Sequence, residues 1–254
     1  FTFNTLLYYP LPSLPPPGSN QHAINRRIDW KDVERRFLNG EIVVVDDVLE
    51  PWALDAAYNF CLEATIYYEQ KIGYVGAYDV DGLNSGPFPS ITEDFRTMMP
   101  SIVGASRLAK FWSYKYVGTS DGSNRQKEQE QHGTNKHTDQ ARVNLNVWIT
   151  PDDANLDPSS GGMDVWDYRV DNEEMFNSFQ LDKDGVELTN VLKQTGSTVT
   201  RIPYKRNRMV IFDSNLVHET SQMNFKQGHK NRRINLTWLF GNPSWKEERE
   251  VDVV

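Results

Sequence analysis

From Lys110 onward the chain breaks into short runs in which large apolar residues recur at every second position: "KFWSYKYV", "ARVNLNVWIT", "GGMDVWDY", "STVTRIPY", "NRMVIFDS" and "RRINLTWLF". A period of two belongs to a pleated strand with one face toward a core, whereas a helix repeats its apolar positions every three to four residues. Val, Ile, Phe, Trp and Tyr dominate these runs, and Gly, Pro, Asn and Asp separate them. Short strands of this kind cannot bury their apolar faces singly, so they must stack as two sheets. The expected core is therefore a β-sandwich or jelly roll.

The stretch upstream is mixed. In "DWKDVERRFLNG" the spacing predicts a helix with an acidic first turn and an Asn39-Gly40 stop, and "EIVVVDDVL" then reads as a buried strand. "EPWALDAAYNFCLEAT" sets Pro51 at a helix start and lines Leu54, Tyr58, Cys61 and Leu62 along one face. Ser90 and Glu93 have capping-box spacing, which predicts a further helix running toward Pro100. The fold class is thus α+β, mainly β, and one domain is expected over 1–254. Its parts are an extended Pro-rich arm (1–24), a mixed α/β support (25–109), the β core (110–241) and a solvated tail (242–254). Two excursions interrupt the core: "GTSDGSNRQKEQEQHGTN", and residues 170–197 with the short helix candidate "DGVELTNVLKQ". Loops of this length are commonly lids or binding loops.

Charge and cysteine content narrow the chemistry. A net charge of -8 argues against a nucleic-acid surface, which needs a basic face. No apolar run approaches the roughly 20 residues of a membrane helix. Cys61 stands alone, so a disulfide or thiolate metal cluster is excluded within the chain, in keeping with the cytoplasm or another reducing compartment. The chain opens on Phe1 rather than Met, which leaves a trimmed leader open. The expected partner is a small molecule or a peptide, bound by a monomer or weak homodimer.

Any metal must then use His, Asp or Glu. His137 and Asp139, two apart at the mouth of a strand, can turn to the same side. Two imidazoles and one carboxylate suit Fe(II) and leave coordination positions open. The alternative is a solvated polar loop. Among other histidines, His22 lies in the arm, and His132 and His229 sit in Gly-containing loops. Only His218, after "RMVIFDSNLV", ends a hydrophobic strand, which makes it the third-ligand candidate.

Taken in order, His137-Thr138-Asp139, "VNLNVWIT", Gly161-Gly162, "MVIFDSNLVH" and Arg233 in "RRINLT" resemble the Fe(II)- and 2-oxoglutarate-dependent oxygenases over about 110–241. "NVWITPDDANLDPSSGG" and "NRRINLT" resemble prolyl-hydroxylase-like members in particular. The resemblance implies a double-stranded β-helix core, jelly-roll and cupin-like, with flanking N-terminal helices. It implies an iron site of His137, Asp139 and His218 as the catalytic centre, with 2-oxoglutarate and O2 as co-substrates. Arg233 would bind the far carboxylate of 2-oxoglutarate bidentately. Asn235 and Thr237, on its strand face, would add polar contacts. Arg232 would point away, unless a bulge exchanged the two. Tyr116 resembles a tyrosine that lines the co-substrate pocket and Tyr114 shares its face; both equally suit a core. The implied reaction couples decarboxylation of 2-oxoglutarate to succinate and CO2 with oxidation of a C–H bond. The carboxylate of Asp139, which halogenating members lack, favours hydroxylation, desaturation or oxidative cyclisation.

Asn144 and Asn146 are amides within a run that otherwise reads as buried, so they contact co-substrate or substrate or satisfy backbone groups. Arg142, near the metal mouth, meets an anionic substrate group or forms a rim salt bridge. "GYVGAYDVDGLNSGPFPS" and 170–197 are expected to build a mouth for a small molecule, an amino-acid-like compound or a peptide. The alternative functions are a non-catalytic binding module on the same fold, or a hydrolytic or isomerising cupin-type metal protein. Neither needs an anchoring arginine on a late strand.

Overall fold

A computed structural model describes residues 22–116, 133–181, 185–243 and 245–246. Residues 1–21 of the arm, His132 and the tail beyond 246 lie outside the described residues. Three helices, α1 (Trp30–Leu38), α2 (Pro51–Glu63) and α3 (Phe88–Met98), precede most of the strands. Asp29 caps α1 by accepting from the Asp32 amide, and Pro51 opens α2, as their sequences require. Ser90 has no capping role: α3 begins at Phe88, with Pro87 in the cap position, because the turn at 85–88 already starts the helix.

The strands are β1 (Val43–Val45), β2 (Glu69–Lys71), β3 (Tyr74–Tyr78), β4 (Leu108–Tyr116), β5 (Val143–Trp148), β6 (Met163–Arg169), β7 (Val199–Ile202), β8 (Arg208–Asp213), β9 (Leu216–Thr220) and β10 (Ile234–Phe240). They form a seven-stranded sheet, β1-β8-β5-β10-β4-β3-β2, and a three-stranded sheet, β7-β6-β9. Every pairing is antiparallel. Side chains from both sheets, among them Trp148, Val210, Phe212, Met163, Val165 and Ile202, pack in one cluster, so the sheets face each other as in a double-stranded β-helix.

Period-two alternation assigns each face of the large sheet. Val143, Leu145 and Val147 of β5 and Ile234, Leu236, Trp238 and Phe240 of β10 pack toward the helices. The centre of that layer is aromatic: Trp238 stacks on Phe111 at 4.5 Å, meets Phe95 at 5.5 Å, and donates its indole N–H to Thr92. The intervening residues, Asn144, Asn146, Trp148, Asn235 and Thr237, with Trp112, Tyr114 and Tyr116 of β4, face the small sheet. This face holds the polar residues of interest.

The excursion at 170–197 contains two helices, α4 (Glu173–Leu181) and α5 (Val186–Thr195), where the sequence suggested only the second. No described helix is long and apolar enough to cross a membrane.

Candidate metal centre

His218 lies inside β9 and does not end the preceding strand. β8 stops at Asp213, the chain turns at 214–215 with the Asp213 carboxylate accepting from the Asn215 amide, and β9 carries His218 opposite Val165 of β6. Residues 134–139 run antiparallel beside β9. The His137 amide donates to the His218 carbonyl at 3.0 Å and the His218 amide donates to the His137 carbonyl at 2.9 Å, while the Asp139 amide donates to the Ser214 carbonyl. His137 is therefore held by an isolated bridge, and the two imidazoles meet because their backbones pair directly. Their ring centroids lie 4.3 Å apart.

One ligand atom from each of His137, Asp139 and His218 lies within 4.8 Å of the others, the only such cluster among the described residues. Both rings are oriented from behind. His137 Nδ1 bonds the Asn135 carbonyl at 2.6 Å and His218 Nδ1 bonds the Leu216 carbonyl at 2.9 Å. A carbonyl only accepts, so each Nδ1 carries the proton and each Nε2 keeps its lone pair for a metal. Burial, and then the neighbouring His218, push the His137 imidazolium down to about 4, so the ring is neutral at pH 7. Burial pushes the Asp139 carboxyl up, but the adjoining His218 and His137 imidazoles outweigh it and hold it below its ordinary value. Two imidazole nitrogens and one carboxylate oxygen, with no thiolate, form a donor set that fits Fe(II).

Across the same cleft, Arg233 is 2% exposed at the start of β10. Its Nε donates to the Gly161 carbonyl at 2.6 Å and its Nη2 to the Gly162 carbonyl at 3.0 Å. The guanidinium carbon sits 4.8 Å from the Tyr116 ring centroid and 5.5 Å from that of Trp148. Its Nη1 is buried without a hydrogen-bond partner among the described residues, as is Trp148 Nε1. An unpaired buried donor is costly, and a carboxylate would satisfy it. The expected two-pronged grip is reduced, since two guanidinium nitrogens are already bonded to the glycine turn. The Arg232 side chain is half-buried and outside this cleft.

Tyr116 lines the cleft and bonds Thr220 through its hydroxyl at 3.3 Å; Tyr114 also lines it, bonded to the Tyr78 hydroxyl at 3.1 Å. Asn146, Asn235 and Thr237 line it as a hydrogen-bonded trio. Asn144 does not reach the cleft; it lies behind Asp139 and donates to it at 2.8 Å. Arg142 is exposed and is not among the residues lining the cleft; its charge lies near the Asp213 carboxyl, on the rim side of the two places expected for it. Residues 117–132, expected as a binding loop, lie outside the described residues.

Sequence reasoning overlooked Trp148, Met163, Trp112, Thr134, Glu219 and Thr220, which complete the lining. Trp148 carried a signal, since it continues the alternation of Asn144 and Asn146. A second, polar cleft of about 620 Å³ adjoins the first at Glu219 and Thr220; Lys136, Ser159, Asp164, Arg201 and Gln222 lie along it. Its charges are of both signs, with Lys136 paired to Glu219 and Arg201 near Asp164.

No family model matches the chain, and no curated protein matches it in sequence. Solved structures do resemble it. SnoK, a non-heme alpha ketoglutarate dependent carbocyclase from nogalamycin biosynthesis, superimposes with a TM-score of 0.55 at 10% identity, covering 91% of this chain and 92% of its own. The epimerase SnoN, solved with Fe3+, alpha ketoglutarate and nogalamycin RO, gives 0.55 at 12% identity, covering 84% and 83%. A prolyl hydroxylase from Trichoplax adhaerens, bound to a hypoxia inducible factor peptide fragment, gives 0.54 at 12% identity, covering 84% and 89%. At these identities the likeness is one of fold: the chain has the double-stranded β-helix architecture found in 2-oxoglutarate- and iron-dependent oxygenases.

Proposed function

We propose that this protein is a non-haem Fe(II)- and 2-oxoglutarate-dependent dioxygenase, with His137, Asp139 and His218 holding iron and Arg233 receiving the far carboxylate of the co-substrate. One observation carries the reading: a His-Asp-His cluster and a buried arginine with an unpartnered Nη1 line one cleft. A decayed metal site or a plain binding module has no need to bury that cation, whose desolvation is unfavourable without an anionic partner. Iron and 2-oxoglutarate, when bound, would supply the oxidising chemistry, converting the co-substrate and O2 to succinate and CO2 while a substrate C–H bond is oxidised.

The chain's own residues bind, orient and exclude water. The backbone carbonyls of Asn135 and Leu216 keep both imidazoles in the ligating tautomer. The rings of Tyr116, Trp148 and Tyr204 surround the guanidinium and shut water out of the carboxylate end. Trp148 Nε1 supplies a second buried donor beside it. The adjoining cleft is rich in hydroxyl, amide and paired charged groups, which favours a polar amino-acid-like or peptide substrate over a wholly apolar one. With a carboxylate at Asp139, the outcome is hydroxylation, desaturation or oxidative ring closure.

The test is anaerobic calorimetry of Fe(II) and then 2-oxoglutarate, followed by succinate measurement with amino-acid and peptide candidates. Native protein should bind both, His218→Ala should lose iron, and Arg233→Met should keep iron but bind 2-oxoglutarate at least about tenfold more weakly. Equal iron affinity in native protein and His218→Ala would sink the assignment. Binding of both without succinate from any candidate would favour the non-catalytic module.

A further inference from the structure

The face of the large sheet that looks toward Asp139 carries four polar side chains where an apolar interior would be simpler. Asn144, Asn146, Asn235 and Thr237 are 0%, 7%, 6% and 1% exposed. Asparagine is disfavoured in strands, and a buried amide is costly unless each of its groups is bonded. These four are joined in one direction. Asn144 Nδ2 donates to Asp139 Oδ2 at 2.8 Å. Asn144 Oδ1 accepts from Asn146 Nδ2. Asn146 Oδ1 in turn accepts from Asn235 Nδ2 at 3.0 Å and from Thr237 Oγ1 at 2.9 Å.

The direction follows from Asp139. An ionised carboxylate only accepts, so the Asn144 amino group must face it and the Asn144 carbonyl must face away. That requires the amino group of Asn146 to meet Asn144, and leaves the Asn146 carbonyl for β10. Each amide orientation is therefore dictated by the one before it. The geometry sets the carboxylate between the two rings: Asp139 Oδ2 accepts from Asn144 and lies 3.4 Å from His218 Nε2, while Oδ1 lies 3.9 Å from His137 Nε2.

We propose that Asn144 is a positioning residue that holds Asp139 by Oδ2 and so fixes the carboxylate between the two imidazoles for the metal, with Asn146 on its own strand and Asn235 and Thr237 on the neighbouring one bracing it. The inference rests on the metal reading given above. It gives Asn144 a different place from a co-substrate ligand, in keeping with its position outside the cleft lining. A carboxylate held from behind in this way keeps one orientation beside the two imidazoles when the metal arrives.

The test uses Co(II) alone as a visible probe, titrated into native protein, His218→Ala and Asn144→Leu, with circular dichroism and Tm as controls for folding. Leucine preserves the shape of asparagine and removes the donor. Asn144→Leu should fold, bind Co(II) about ten- to a hundredfold more weakly, and give a changed visible absorption spectrum. A role confined to packing would shift Tm and leave the bound-metal spectrum alone. Should the leucine variant not fold, Asn144→Ser, too short to reach Asp139, is read the same way. Native-like affinity and spectrum in a folded variant would overturn the positioning role while leaving the metal site intact. Failure of native protein to bind Co(II), with no difference from His218→Ala, would overturn the metal reading itself.

Discussion

A full positive charge at Arg233 survives in a place water does not reach because several weak terms act together. Burial pushes its pKa down from the ordinary value, yet two backbone carbonyls and the faces of Tyr116, Trp148 and Tyr204 favour the cation. Tyr116 contributes through both its ring and its hydroxyl, and the two parts are separable. Tyr116→Phe loses the bond to Thr220 and the hydroxyl beside the guanidinium while keeping the ring, and should lower stability by about 0.5–1.5 kcal/mol with a smaller effect on 2-oxoglutarate affinity than loss of the ring. Tyr116→Ala should also open the box around the guanidinium and weaken 2-oxoglutarate severalfold, as thermal denaturation and titration of both variants would show.

At the scale of the element, the Gly161-Gly162 turn serves as the brace of that arginine. Gly161 has φ of +81°, a left-handed conformation that few side chains tolerate, and a Cβ on Gly162 would lie 1.9 Å from the Ile202 carbonyl. Gly162→Ala must therefore push β6 and β7 apart and move the carbonyls that hold Arg233. The expected result is a lower Tm and a larger loss in 2-oxoglutarate affinity than in iron affinity, measured by calorimetry. Equal losses would mean that the strain reaches β9 and His218.

Elements differ in how plainly the sequence announces them. β4, β5, β8 and β10 are long, alternating and apolar, and all four were legible. β9, "LVHET", is five residues with polar His, Glu and Thr, so its strand character comes from pairing with β6 and with residues 134–139 rather than from its own propensity. β2, "EQK", is shorter still, and is a strand only because β3 is beside it. The expected role of Ser90 failed for a related reason: capping-box spacing recurs inside helices, and only the chain path before it decides where a helix starts.

At the scale of the whole molecule, the helical layer and the large sheet enclose a second buried charge, on the face away from the metal centre. Lys115 is 4% exposed; its Nζ donates to the Cys61 carbonyl near the end of α2 at 2.8 Å and lies 3.4 Å from the Tyr67 ring centroid. Burial lowers its pKa from 10.5 to about 8. Between those two values the unfolded chain binds the proton more strongly than the folded one, so this group makes stability rise with pH across that window, and below it the burial penalty is borne in full. Replacing a buried cation by a side chain of similar volume is often neutral or stabilising. Denaturant titrations from pH 7 to 10 should therefore show a rise in native stability relative to Lys115→Met, and parallel curves would contradict it.

The sequence by itself determined the β-rich fold class, the face on which each residue of a strand lies, and, through the order of its motifs, the candidate set His137, Asp139, His218 and Arg233. Those are properties of residue type and spacing along one strand, and a period of two is enough to carry them. Tertiary structure alone decided which side chains meet. Arg233 bonds Gly161 across 72 residues, and Asn146 bonds Asn235 across 89. Neither partner can be read from spacing, because the register between strands is set by packing of the whole sheet and by the turns that join it. The same register made Asn144 a partner of Asp139, left Arg142 on the surface, and bonded two of the three guanidinium nitrogens of Arg233 to a glycine turn.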